Sequence, residues 1–248
     1  GYYLMLYSAK DTDKIFQMVM GWDVDGVIAI SFSKSNCEKI YQLINKPIVS
    51  IDAYGELDAG QESHVLNIGL DDESGGYLMT KYLLECGYEH IQVCAGRDNG
   101  VDHLRYMGAQ KAAKEFAEKQ QKVQFTALGM NYAKRKESYA WLIQRKKPKT
   151  ALFFLSDLYA LEAISFFSSR GVKIPEEIGI AGYDNISYAE FSVPRLTTVS
   201  QNVEQKASLA VEILMERING EDKERENEIR LPVTLISRKS VQRQDEKK

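Results

Sequence analysis

The chain has 248 residues, 44% of them hydrophobic and 27% charged, with a formal net charge of −3. That length buries a sizeable core in one large or two ordinary domains. The slightly acidic balance leaves no basic footprint for nucleic acid, and no apolar run approaches the roughly eighteen residues that mark a membrane-spanning helix.

In chain order, residues 2–7 are predicted as a buried strand. Asp11 or Thr12 can cap a helix over about 13–20, with Ile15, Phe16 and Val19 on one face. Asp25-Gly26 then turns into a second strand, 27–30. An amphipathic helix over 37–44 is stopped by Pro47, and a third strand over 48–51 ends on Asp52. Further strands are expected at 65–70, 91–95, 123–128, 151–155, 178–181, 196–199 and 229–236. The helices between them are expected through Leu84 from the caps Asp71, Asp72 and Ser74, and at 108–121, 133–146, 157–170 and 203–219. Strands alternating with helical patterns argue βαβ units and parallel sheets. About ten strands are too many for one doubly wound sheet, so two sheets in two lobes are expected.

The three cysteines, Cys37, Cys86 and Cys94, are odd in number and form no CxxC pair, which reads as buried free thiols in a reducing cytoplasm. Enzyme signatures are wanting. There is no G-x-S-x-G elbow, no phosphate-binding glycine loop, and no HExxH or Cys/His spacing for a metal, so no cofactor is implied. Asp71-Asp72-Glu73 either binds a hard cation or, the better reading at a helix start, caps amides there. An acid/base pair of Asp52 or Asp184 with His103 has no nucleophile or metal beside it.

What remains is a set of polar residues after predicted strands, at the sheet edge where open α/β folds bind ligands. Asp52 follows 48–51, His103 and Arg105 follow 91–95 through a loop at 96–102, Ser156 and Asp157 follow 151–155, and Asp184 follows 178–181. Carboxylates, a serine and a guanidinium converging on one edge suit a polyhydroxylated ligand. Asp184 can instead cap a turn. Tyr132 is a candidate for stacking on a sugar face, with ordinary packing as its other reading.

Several segments together resemble the effector-binding core of LacI/GalR-family transcriptional regulators, itself similar to periplasmic sugar-binding proteins. They are Val24-Asp25-Gly26-Val27-Ile28, Pro47-Ile48-Val49-Ser50-Ile51-Asp52, Leu104-Arg105-Tyr106-Met107-Gly108, Phe154-Leu155-Ser156-Asp157, the stretch ending Gly182-Tyr183-Asp184-Asn185, Pro194-Arg195-Leu196-Thr197-Thr198-Val199, and the closing Arg238-Lys239-Ser240. Gly1-Tyr2-Tyr3-Leu4 resembles the family's second strand. The resemblance spans essentially the whole chain and implies an α/β fold of two Rossmann-like lobes with parallel sheets, the type I periplasmic-binding-protein-like architecture, with a ligand cleft between the lobes.

On this resemblance, residues 1–69 and 202–228 form the N-terminal lobe, without the family's first strand and helix, and residues 70–201 and 229–248 the C-terminal lobe. Asp52, Arg105, Ser156 and Asp184 fall on effector-contacting positions, with His103 beside them and Tyr132 near an aromatic stacking position. Asp157 is expected to cap a helix rather than touch ligand. The implied protein is a cytoplasmic repressor core, not an enzyme, that binds a sugar-like effector and works as a homodimer, with residues 74–84 offering part of the pairing surface. Operator DNA is contacted only through a helix-turn-helix module absent from these residues, and no membrane or metal is involved. The alternative is a transporter-associated periplasmic sugar-binding protein.

Overall fold

The computed structural model describes residues 1–57, 63–116, 122–221 and 223–244. They divide into two compact units, Gly1–Leu70 with Asn202–Leu231, and Asp71–Gln201 with Pro232–Lys248.

In the smaller unit, β1 (Val27–Ile30), β2 (Ile48–Ile51), β3 (Leu66–Leu70) and β9 (Glu228–Leu231) form a parallel sheet in the order β1-β2-β3-β9. β2 is buried at every position, as a central parallel strand covered on both faces must be. The helices are α1 (Thr12–Gly21), α2 (Lys34–Ile44) and α8 (Val203–Ile218). Asp11 caps α1 by accepting from the Asp13 amide, and Ser33 caps α2 by accepting from the Asn36 amide. Phe16 and Val19 of α1 pack with Cys37 and Ile40 of α2 against Ala29 and Ile48, so the apolar faces legible in the sequence form this core.

The larger unit holds a parallel sheet in the order β5-β4-β6-β7, built from β4 (His90–Ala95), β5 (Lys122–Ala127), β6 (Thr150–Phe154) and β7 (Gly179–Ala181). β8 (Thr198–Ser200) and β10 (Thr234–Ile236) pair antiparallel beside it. Its helices are α3 (Asp72–Glu85), α4 (Gly100–Glu115), α5 (Tyr132–Gln144), α6 (Asp157–Ser168) and the short α7 (Ser187–Phe191). Phe154, Phe166, Phe167, Tyr139, Leu152 and Ile180 dominate the core under α5 and α6. Cys37, Cys86 and Cys94 are free and buried, and burial pushes the Cys37 thiol up to about 12.

Several expectations are corrected. Residues 2–7 are no strand. No described strand pairs with them, and Tyr3 and Leu4 are 99% and 92% exposed, so apolar composition alone did not create a ladder. The strand expected over 229–236 is two strands, interrupted at Pro232-Val233. Its first half pairs with β3 in the smaller unit, so residues 229–231 do not belong with the larger one. Pro232 lacks the N–H that a continuous ladder would need. Helix α4 begins at Gly100, eight residues before the expected start, and α7 was not anticipated.

Candidate functional site

The earlier start of α4 changes where the site residues sit. His103 and Arg105 lie on the first two turns of a helix that already takes in residues 100–102 of the expected loop. Helices α3 and α4 meet backbone to backbone: a Cβ at Gly76 would stand 1.8 Å from the Arg105 carbonyl oxygen, and one at Gly108 1.9 Å from that of Glu73. This close approach brings the α4 guanidinium onto the first turn of α3.

Arg105 is buried, and its Nε donates to Asp72 Oδ1 at 2.8 Å and its Nη1 to the Leu155 carbonyl at the end of β6, also at 2.8 Å. Its guanidinium carbon lies 3.7 Å from the centre of the Tyr183 ring, and the Tyr183 hydroxyl donates to the same Asp72 oxygen at 3.2 Å. Burial works against the guanidinium's charge, but Asp72, Tyr183 and Asp184 more than offset it, so Arg105 holds its proton more firmly than a free arginine. Its Nη2 makes no hydrogen bond among the described residues.

Asp184 follows β7 with φ of 121°, a conformation costly for any residue with a Cβ. The surroundings hold it there. Its amide donates to the Val199 carbonyl at 2.9 Å, and its carboxylate accepts from Ser156 Oγ at 3.1 Å and from Gln201 Nε2. Burial raises the Asp184 carboxyl's pKa, against the pull of Arg105 and the donors Ser156 and Gln201. Ser156 occupies the N-cap position of α6, yet its side chain caps no helix amide and is spent on Asp184 instead. Arg105, Ser156 and Asp184 are therefore brought together at the carboxyl edge of the β5-β4-β6-β7 sheet.

Asp157 is not the cap expected. It is the first residue of α6, fully buried, and its carboxylate accepts from Thr198 Oγ1 at 2.6 Å and from the Ile186 amide at 3.0 Å. It ties α6 to β8 and to the turn carrying Asp184, and burial pushes it up to about 7. The acidic run divides among three partners. Asp71 caps α3 through the Ser74 amide, Asp72 takes Arg105, and Glu73 pairs with Lys111. Among the described residues no group of three or more His, Cys, Asp or Glu is placed to hold a metal ion.

The other expected contacts each have a partner of their own. His103 is half-exposed and pairs with Asp98 at 2.8 Å. Tyr132 opens α5, exposed, with Lys136 Nζ 5.1 Å above its ring. Asp52 belongs to the smaller unit, where it takes a left-handed φ of 52° after β2 and accepts from the buried Lys206 of α8 at 2.5 Å.

Sequence reasoning missed Asp72, Tyr183 and Asp102. Asp72 was hidden among helix-start acids and Tyr183 inside a turn motif. Asp102, in the first turn of α4, has its Oδ1 4.0 Å from Arg105 Nη1. The closing Arg-x-Ser motif is a clamp: Arg238 donates to the Leu196 carbonyl and to Asn185 Oδ1, both at 2.8 Å, and Ser240 Oγ donates to the Ile180 carbonyl.

Residues 80–241 match the periplasmic binding protein-like domain. The HTH-type transcriptional repressor PurR of Haemophilus influenzae is 30% identical over 97% of this chain and 73% of its own length. Among solved structures, a LacI family transcriptional regulator from Enterococcus faecium with bound ribose superposes with a TM-score of 0.81 at 25% identity, over 96% of this chain and 87% of that one. A periplasmic binding protein/LacI transcriptional regulator from Alkaliphilus metalliredigens complexed with D-xylulofuranose gives 0.76 at 27% identity, over 93% and 84%.

Proposed function

Since this chain belongs to the LacI family of transcriptional regulators, as its periplasmic-binding-protein-like effector-binding core, we propose that it senses a sugar or sugar derivative and thereby sets the operator affinity of a dimeric repressor. The observation that carries the ligand reading is the Arg105–Ser156–Asp184 constellation. A guanidinium with an open Nη2 and a carboxylate held beside a serine hydroxyl offer matched donors and acceptors to vicinal hydroxyls. The sugar ligands of two structural neighbours support it. Chemistry is not its task, since relatives over nearly the whole chain are named repressors.

The mechanism is linkage. An effector that binds one arrangement of the regulator more tightly shifts the population toward it, and operator DNA, bound through a helix-turn-helix module of the full-length protein, feels the same coupling in reverse. No helix among the described residues is long and apolar enough to cross a membrane. Buried free thiols suit the cytoplasm. The transporter alternative is not favoured, because the repressor relatives match 97% of the chain.

Thermal-shift screening of pentoses, hexoses and disaccharides tests the reading. A ligand at 100 times its Kd adds about 2.7 kcal/mol, and Asp184→Ala should abolish the shift. Equal affinity in Asp184→Ala and Arg105→Lys would remove the constellation from the site. The same titration of Asp52→Ala, His103→Ala and Tyr132→Ala sorts the remaining proposed contacts.

A further inference from the structure

The charge balance around Arg105 narrows the ligand class. The guanidinium's charge is met by Asp72, which engages its Nε. Asp184 and Asp102 are carboxylates beyond that pair. Asp184 is held by Ser156 and Gln201. Asp102 has no such partner among the described residues: its Oδ1 stands 4.0 Å from Arg105 Nη1, outside hydrogen-bond range, and its side chain is 29% exposed.

We infer that the site selects neutral, hydroxyl-rich ligands against their phosphorylated or carboxylated derivatives, with Asp102 as a specificity-determining residue. The inference rests on the sugar reading above and deepens it. An open Nη2 would by itself attract an anion. Here any anion that reaches it also meets Asp102 and Asp184, which outnumber the one guanidinium already shared with Asp72. A hydroxyl gives up no charge to that field and can donate to the Asp102 carboxylate while accepting from Nη2.

Burial, reinforced by the charges of Asp184, Asp72 and Asp98, already pushes the Asp102 carboxyl up to about 6, against the pull of Arg105. A bound phosphate would load the same field further. Asp102 also sits in the first turn of α4, where an acid favours the helix dipole. That role affects stability alone and predicts no discrimination between ligands.

The test is calorimetric titration of the 248-residue chain with D-ribose and ribose 5-phosphate, D-glucose and glucose 6-phosphate, and cellobiose and cellobionate. At least one neutral sugar should bind at least tenfold more tightly than its anionic counterpart. In Asp102→Asn that ratio should fall by about tenfold, the effect of one unit charge in contact through partly aqueous surroundings, and Asp102→Glu should restore it. An anionic member that binds as tightly as its neutral parent, or a ratio unmoved in Asp102→Asn, overturns the inference and leaves the sugar reading standing. Failure of every sugar to bind removes the sugar reading, and the inference with it.

Discussion

Removing the Asp72 carboxylate should cost the larger unit a large share of its stability. Asp72 Oδ1 accepts from Arg105 Nε at 2.8 Å and from the Tyr183 hydroxyl at 3.2 Å, and the Asp72 and Arg105 side chains are each only 8% exposed. Deleting one partner of a buried ion pair costs about 3–5 kcal/mol, because the surviving charge is left uncompensated. Asp102 and Asp184 lie near enough to recover part of it, so the lower end, about 3 kcal/mol for Asp72→Ala, is expected. For a chain of this size that lowers Tm by roughly 6–12 °C. Asp72→Asn keeps an acceptor and should lose less. Combining Asp72→Ala with Arg105→Met removes both charges and should recover at least about 1 kcal/mol relative to Asp72→Ala alone. Thermal unfolding followed by circular dichroism reads all three variants. An Asp72→Ala protein melting within 2 °C (about 0.5–1 kcal/mol) of the parent would refute the argument that Arg105 depends on this carboxylate.

Gly76→Ala and Gly108→Ala should each lose about 3 kcal/mol or more, since the new methyl meets backbone rather than a movable side chain. Urea denaturation measures it, and a loss below about 1 kcal/mol would show that α3 and α4 separate easily. Asp157 gives a pH signature. Its folded carboxyl, at about 7 against 3.8 in the open chain, keeps its proton where the unfolded state has released it. Its contribution is therefore fully present below about pH 4 and lost as pH rises towards 7, up to roughly 4 kcal/mol; Asp157→Asn should flatten that slope, and an unchanged profile would contradict it. Arg238→Met should speed amide exchange across residues 183–186, because the Asn185 and Leu196 contacts hold that turn.

Much of this fold was legible because its causes are local. The strands 48–51 and 151–155 are dominated by Ile, Val, Leu and Phe and are buried throughout β2 and β6, as expected of strands covered on both faces, with the one hydroxyl in β2, Ser50, donating to the Leu66 carbonyl and Asn67 Oδ1. Asp11 and Asp71 cap the helices they precede, since a cap needs only its own next three residues. Arg105, Ser156 and Asp184 were nameable because they follow strands. Their convergence was not: Arg105 reaches Leu155 across 50 positions of sequence, and Ser156 reaches Asp184 across 28.

Where the outcome depends on distant partners, only the tertiary structure decided it. Residues 2–7 had strand chemistry but no paired neighbour among the described residues, and a ladder needs two strands. Asp71 and Asp72 are the same residue type side by side, yet one caps α3 while the other neutralises a buried arginine, because the Gly76 and Gly108 contacts set Arg105 over one and not the other. Composition and periodicity mark most of the helices and strands and the faces they bury, but not whether a strand such as 2–7 finds a partner. Which charge meets which depends on the helix separation and the turn geometry that packing imposes.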